Sequence, residues 1–240
     1  MDVRWEDLGW ERLAGGVGRR RLPVWDATAG LVAGEAAALL FDTGATLREG
    51  AELREQTEAL LGGRSVTHIA LSHPHFDHVL GTAAFPEAEV YGAVGVDSVL
   101  PRDRAALRDD AIRHGVPPED ATTAVDALVV PRHTVSGEWT IDLGGVRVML
   151  ANAGPGHSGH DLVLLVPGDP EVVFCGDLVE ESGDPQAGPD AIPSRWPAAL
   201  DRLLALGGED ALYVPGHGAV VDAAFVRTQR DELARRFGVP

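Results

Sequence analysis

Three histidines and one aspartate lie within six consecutive residues. They are His73, His75, Asp77 and His78, in the segment 71–81, which reads LSHPHFDHVLG. Imidazole is a good ligand for zinc, iron or nickel, and a carboxylate adds charge and can orient a bound water. Because side chains alternate along an extended segment, His73 and His75 share one side, while Asp77 and His78 point to a neighbouring position. The spacing therefore predicts that one strand end supplies ligands to two adjacent metal ions.

A histidine-rich surface loop is the alternative interpretation of this segment, and it predicts flanks without regular structure. The flanks are instead a short apolar run at 68–71 and the segment 79–83, which is able to open a helix. In α/β folds, functional sites lie where a buried strand ends and runs into a helix. The context therefore favours a metal site over a surface loop.

The elements before and after this segment alternate between strands and helices. Short apolar runs predict strands between residues 9 and 41, one of them over Leu22–Trp25, with a hairpin turn at Gly34-Glu35. A helix is expected at 49–61, and a further strand at 89–93. This alternation predicts parallel strand pairing around the histidine-rich segment.

The segment 96–127 is charged and helical in pattern, with prolines at 117 and 118 suited to a helix start. Such an excursion between core strands often lies over an active site, and surface decoration is an equally good interpretation. His114 and His133 match no motif and are expected at the surface. The rest of the chain predicts strands at 139–141, 146–150, 162–166 and 172–174, a rim loop at 180–195, and helices after Trp196 and Asp222.

The length, composition and net charge of the chain limit the classes of protein to which it can belong. Its 240 residues, 45% of them hydrophobic, predict one domain over 1–240 with a core that needs no disulfide. The single cysteine, Cys175, and the charged N-terminal residues favour a cytoplasmic protein. A net charge of −17 disfavours nucleic acid and anionic membranes as partners and leaves a small-molecule substrate. All 20 basic residues are arginine, which excludes a Schiff-base lysine.

The HxHxDH pattern resembles the metallo-β-lactamase superfamily. Later landmarks of that family follow in its order, each after a predicted strand: Asp42 in FDTG, His157 in GPGHS, Asp177 in VVFCGD and His217 in LYVPGHG. The resemblance covers most of the chain, from about Asp42 to His217. It implies an α+β fold, an αββα sandwich of two mixed β-sheets packed face to face with helices outside.

The resemblance also implies a ligand set. His73, His75 and His157 would bind one metal, Asp77, His78 and His217 a second, and Asp177 would bridge them. Two Zn²⁺ ions are expected, with iron or manganese as alternatives, and a metal-bridging hydroxide would attack the substrate while Asp77 orients it. Asp42 would support the site without binding metal, with an Asx turn at a strand end as the alternative. His160, three residues after His157, is a candidate proton donor, with an ordinary loop histidine as the alternative.

The presence of Asp177 separates this ligand set from the β-lactamases that carry HxHxDH, because those lack the bridging aspartate. The full set is similar to that of glyoxalase II thioesterases and N-acyl homoserine lactonases, which implies hydrolysis of a small ester, thioester or lactone. A mononuclear iron oxygenase resembling persulfide dioxygenase and a metal-binding protein without catalysis stay open as alternatives. Arg195, at the end of the rim loop, could hold a substrate carboxylate or form only a surface ion pair.

Overall fold

Two β-sheets packed face to face make up the computed structural model, which describes residues 4–239. The first sheet has seven strands in sequential order and the second has five. Each is mixed, because antiparallel hairpins and parallel pairs occur in both. The predicted sandwich of two mixed sheets with helices is confirmed.

The first sheet is antiparallel over its first four strands and parallel over the rest. The parallel pairs flank the strand that precedes the histidine-rich segment, which confirms the pairing expected from the alternation of elements. Its strands are β1 (Glu11–Ala14), β2 (Val17–Arg21), β3 (Thr28–Ala33), β4 (Ala38–Phe41), β5 (His68–Ala70), β6 (Glu89–Ala93) and β7 (His133–Val135).

The second sheet is antiparallel except for its last pair, β11 with β12, which is parallel. It runs in the order β12-β11-β10-β9-β8. Its strands are β8 (Glu138–Asp142), β9 (Arg147–Asn152), β10 (Leu162–Val166), β11 (Val172–Glu180) and β12 (Leu212–His217).

The helices follow the predicted pattern, and the excursion at 96–127 is helical over most of its length. Thr46 caps the first helix through its side chain, and Asp222 caps the last, as its position predicted. The helices are α1 (Leu47–Leu60), α2 (Phe76–Val79), α3 (Val96–Arg102), α4 (Arg104–Arg113), α5 (Pro118–Asp126), α6 (Trp196–Gly207) and α7 (Ala223–Phe237), with short 3-10 turns at Trp5–Leu8 and Thr82–Ala84.

The main apolar core lies between the two sheets. Phe41 of β4 and Phe174 of β11 meet there with ring centroids 5.6 Å apart. Gly30 of β3 makes this contact possible, since a Cβ at that position would lie 2.3 Å from the Phe174 ring. A second core joins the second sheet to α6 and α7 and includes the fully buried Trp196. The two sheets are thereby held in a fixed relation.

The strand predicted over Leu22–Trp25 is wrong. β2 ends at Arg21, and the next residues form a loop in which Val24 and Asp26 have positive φ of 77° and 61°. A β-branched residue at such a φ is strained, and strain of this kind persists only where surrounding contacts enforce it. The loop is held by local main-chain hydrogen bonds, from Trp25 to Pro23 at 3.1 Å and from Leu22 to Ala27 at 2.8 Å, and the main-chain oxygen of Trp25 also accepts a hydrogen bond from His217 at 2.8 Å.

In the part of the chain that the structure describes, neither cluster of possible metal ligands lies at the opposite end of the sandwich. A cavity of about 520 Å³ opens there between the β1–β2, β3–β4 and β10–β11 hairpins, lined by Val17, Val32 and Val172 among others. Within residues 4–239, no helix has the length and apolar character needed to cross a membrane.

Cys175 lies in β11 with 1% of its surface exposed. Burial raises the pKa of its thiol far above the ordinary value, so the reactive thiolate is scarce at neutral pH. We expect iodoacetamide to leave native Cys175 unmodified and to alkylate it fully in denaturant, as measured by intact-mass spectrometry. Labelling at the same rate in both conditions would contradict this packing role.

Candidate metal centre

The seven side chains of the predicted ligand set meet at one end of the sandwich. The first sheet contributes four of them, from the loop after β5 and from α2. The second sheet contributes the other three: His157 after β9, Asp177 within β11 and His217 at the end of β12. The one-turn α2 begins at Phe76, so the chain turns between the pair His73 and His75 and the pair Asp77 and His78 and does not stay extended. The turn still directs them to different positions.

The first cluster consists of His73, His75, His157 and Asp177, each offering one ligand atom within 4.8 Å of the others. His157 Nε2 lies 3.1 Å from His75 Nδ1 and 3.5 Å from Asp177 Oδ2. His73 Nε2 lies 3.6 Å from the same carboxylate oxygen. Three imidazoles and one carboxylate oxygen are donors that suit zinc.

The second cluster consists of Asp77, His78 and His217, again within 4.8 Å of one another. His217 Nε2 lies 3.3 Å from Asp77 Oδ2, and His78 Nε2 lies 3.5 Å from it. The side chain of His78 is fully buried. Asp77 and His78, though adjacent in sequence, therefore converge on one point.

Asp177 joins the two clusters. One of its carboxylate oxygens, Oδ2, faces the first cluster and also lies 3.3 Å from His217 Nε2. The other, Oδ1, lies 3.2 Å from His78 Nε2. A carboxylate in contact with the histidines of both clusters has the position of a bridging ligand, although the metal-binding role of all seven residues stays a prediction.

The second ring nitrogen of each histidine is directed away from the centre, and four of the five are hydrogen-bonded. Such a bond fixes the ring orientation and the tautomer, which leaves the inward nitrogen able to bind a metal. The partners are Ser72 Oγ for His73 at 2.8 Å, Asp190 Oδ2 for His75 at 3.0 Å, Asp42 Oδ2 for His78 at 2.9 Å and the Trp25 oxygen for His217 at 2.8 Å.

Several polar atoms at the centre are buried without a hydrogen-bond partner. They include His73 Nε2, His78 Nε2 and Asp177 Oδ1, all directed inward. Buried polar atoms are normally satisfied, and leaving one unpaired costs about 1–3 kcal/mol. Metal ions held between the two clusters would satisfy these atoms, so the residues present fit the metals that the ligand pattern implies.

The charge states follow from burial and neighbouring charges. Burial alone would raise the pKa of Asp177, but the imidazoles of His78 and His217 hold that pKa well below its usual range. Burial lowers the pKa of His157 to about 4, which keeps its ring neutral. Burial opposes the charged form of His217, yet Asp177 and Asp77 raise its pKa to about 11. Metal binding at the second cluster would therefore release protons.

The other sequence candidates occupy different surroundings. Asp42 lies outside both clusters and, besides its bond to His78, accepts a hydrogen bond from the Ser72 main-chain nitrogen at 2.7 Å. The Nδ1 of His160 donates to the main-chain oxygen of Val94 at 2.8 Å, and this residue belongs to neither cluster. Arg195 is exposed at the start of α6.

Three contacts at the centre were not foreseen from the sequence. Asp190 and the Trp25 oxygen bind metal-ligand candidates, and the carboxyl of Glu180 lies 3.8 Å from His157 Nδ1. Burial and the neighbouring Asp177 raise the pKa of Glu180 to about 8. His114 is exposed, as expected, and its ring stacks on Phe76 with centroids 5.5 Å apart. Of the residues that make these contacts, only Glu180 had a signal in the sequence, because it lies three residues after Asp177.

Gly216 allows the last strand to approach Asp177 closely. A Cβ at this position would lie 1.8 Å from Asp177 Oδ1 and 2.8 Å from its main-chain nitrogen. We therefore expect Gly216→Ala to displace the bridging carboxylate and to weaken zinc binding by about 10- to 100-fold, the usual effect of disturbing a group that orients ligands. Zinc titration against a chromophoric chelator measures the loss.

The matched control for this substitution is Gly183→Ala. Gly183 is exposed in the rim loop, and a Cβ there would meet no atom within 4 Å. This variant should bind zinc as the wild type does. Unchanged zinc affinity in Gly216→Ala would show that the close approach does not position Asp177.

Comparison with known proteins identifies relatives of the chain. The family model of the Metallo-beta-lactamase superfamily matches residues 22–217. Metallo-beta-lactamase domain-containing protein 1 of Xenopus laevis is 33% identical over 64% of this chain and 54% of its own length. A probable metallo-hydrolase of Mycobacterium bovis is 32% identical over 49% of this chain and 38% of its own length. The chain thus spans about half or less of these relatives.

Solved structures share the fold at low sequence identity. The metallo-beta-lactamase FIM-1 from Pseudomonas aeruginosa, crystallised in a mono-zinc form, superposes with a TM-score of 0.70 and 19% identity. The match covers 96% of each chain. At this identity the similarity establishes the two-sheet sandwich and nothing about substrate.

Proposed function

Because the chain belongs to the metallo-beta-lactamase superfamily, we propose that it is a dinuclear zinc hydrolase that cleaves a small ester, thioester or lactone. The observation that carries this proposal is the pair of clusters joined through Asp177. Besides the shared Asp177, each cluster supplies three protein ligands, which leaves room for a water molecule shared by the two metals. Open coordination positions are typical of catalytic zinc.

Zinc ions bound by these residues would lower the pKa of a water molecule towards neutrality and polarise the carbonyl oxygen of the substrate. The protein then has to orient the reacting groups. The Oδ2 of Asp77 lies beside both His78 and His217. Burial alone would raise the pKa of Asp77, but His78 and His217 hold that pKa well below its usual range. Asp77 is therefore an ionised acceptor that can orient the attacking water by a hydrogen bond.

The complete second cluster supports two metal ions in preference to one. A mononuclear oxygenase would need only the first cluster, whereas Asp77, His78 and His217 also converge on one point. The name of the mycobacterial relative, a probable metallo-hydrolase, supports hydrolysis, and the zinc bound by FIM-1 supports the choice of metal but not the number of ions. The net charge of −17 supports a small molecule over a nucleic acid as the substrate. His160 stays a predicted proton donor.

The test begins with the metal content of protein purified without added metal, measured by mass spectrometry. We expect about two zinc ions per chain, and we expect turnover on a panel of esters, thioesters and lactones that chelation abolishes and zinc restores. One iron per chain with sulfur-dependent oxygen uptake would replace the proposal with the oxygenase. Two zinc ions without turnover on the whole panel would leave a metal-binding protein.

A further inference from the structure

The histidine ring nitrogens that point away from the two clusters contact different parts of the chain. In the second cluster, His78 and His217 bond to Asp42 and to the Trp25 oxygen, both from the first sheet. In the first cluster, His75 and His157 face carboxyl groups that belong to one continuous segment. That segment is Glu180, at the end of β11, followed by the rim loop, residues 181–195.

We propose that Glu180 and Asp190 are positioning residues that adjust the zinc affinity of the first cluster and leave the second cluster unaffected. Asp190 acts on His75 and Glu180 acts on His157. This inference rests on the two metal ions of the proposed function but does not depend on hydrolysis. It gives the rim loop a role in holding a metal, in addition to bordering the site.

The contact of Asp190 with His75 has defined hydrogen-bond geometry. His75 Nε2 donates to Asp190 Oδ2 at 3.0 Å, which leaves Nδ1 as the inward nitrogen of the first cluster. The loop is anchored nearby, because the Ile192 main-chain nitrogen donates to the Gly156 oxygen at 2.9 Å, next to His157. The loop is therefore bonded to two of the three histidine segments of this cluster.

Glu180 faces the one outward nitrogen of the five that has no hydrogen bond. His157 Nδ1 is buried and unpartnered, and Glu180 Oε1 lies 3.8 Å away. Glu180 is itself 7% exposed and held in place, because its main-chain nitrogen donates to Gln229 and its Oε1 accepts from the Gln186 main-chain nitrogen at 3.2 Å. The 3.8 Å separation exceeds a direct hydrogen bond, so Glu180 would reach the ring through a bridging water, and a carboxyl linked in this way to the outward nitrogen orients a metal-binding histidine.

The experiment compares Asp190→Asn and Glu180→Gln with wild-type protein, full length and loaded with zinc. Stepwise zinc affinities are measured by competition with a chromophoric chelator, and cobalt substitution reports each site by its absorption spectrum. We expect each variant to lose about 10- to 100-fold in affinity for one zinc ion and to keep the other unchanged. Asp190→Glu, which retains a carboxylate, should recover part of the lost affinity.

The matched control is Asp184→Asn, an exposed aspartate of the same rim loop with no bond to a histidine. It should bind both zinc ions as the wild type does. Circular dichroism of the zinc-free variants shows whether they fold, so that loss of one zinc ion is not mistaken for unfolding. Equal weakening of both sites, or no weakening in either variant, would overturn the inference.

The outcomes separate this inference from the proposed function. Wild-type protein with two zinc ions and no turnover would reject the hydrolase, while selective loss in the variants would still support the positioning role. Wild-type turnover with unchanged zinc binding in both variants would reject the positioning role alone. Wild-type protein that binds fewer than two zinc ions would overturn both.

Discussion

Asp177→Asn is expected to reduce hydrolysis by at least about a thousand-fold and to remove metal from both clusters. Asparagine has nearly the shape of aspartate, so the fold should persist. It lacks the negative charge, however, and it presents an amide in place of one oxygen that now faces His78 or His217. Bound metals contribute several kcal/mol to catalysis, and each 1.36 kcal/mol corresponds to about a tenfold change in rate.

Two measurements check this expectation: kcat/KM on the best substrate of the panel, and zinc per chain after dialysis. The control is Asp210→Asn, because Asp210 is exposed and precedes β12, at the opposite end of that strand from His217. It should keep both zinc ions and full activity. Asp177→Asn protein with two zinc ions and wild-type kcat/KM would show that the carboxylate does not bridge the clusters.

Removal of metal is expected to lower the melting temperature by about 10 °C. A ligand present at a thousand times its dissociation constant stabilises the folded state by about 4 kcal/mol, and about 1 kcal/mol shifts the melting temperature of a chain of this size by roughly 2–4 °C. The metal-free centre also keeps the carboxylates of Asp77 and Asp177 close together and leaves buried histidine nitrogens unpaired.

Differential scanning calorimetry with and without chelator tests this expectation. Asp177→Asn serves as the control, because a variant that no longer binds metal should melt at one temperature in both conditions. If chelation leaves the wild-type melting temperature unchanged although mass spectrometry shows that zinc is gone, the centre does not contribute to stability.

The sequence was sufficient to predict the histidine-rich segment as a candidate ligand source and to predict most helices and strands. The pattern of His73 to His78 has a local chemical meaning, and the order of the later landmarks restricts the fold. The helices of the excursion and the cap at Asp222 also follow from short-range signals. These features depend on neighbours in sequence, which a single chain displays directly.

The contacts that orient the histidines could not be predicted, because they join distant residues. The Trp25 oxygen meets His217 across 192 residues, and Asp190 meets His75 across 115. A chain with 37 acidic residues gives no means of selecting Asp190 or Glu180 among them. Local apolar character also made Leu22–Trp25 resemble a strand, whereas a tight turn with positive φ at Val24 and a long-range bond from His217 hold it as a loop.

Both sheets contribute ligand candidates to the same centre, so bound metal ions would cross-link the two sheets at one end of the sandwich. At the opposite end, beside the cavity of about 520 Å³, the two sheets are joined without metal, because the main-chain nitrogens of Glu35, Ala36 and Ala37 donate hydrogen bonds to the β8–β9 hairpin. We therefore expect loss of the metals to loosen the sandwich at the metal end and to leave the opposite end unchanged. Hydrogen exchange should show zinc slowing the amides around β5 and β12, with little change near Val17 and Val32; uniform slowing would contradict this polarity.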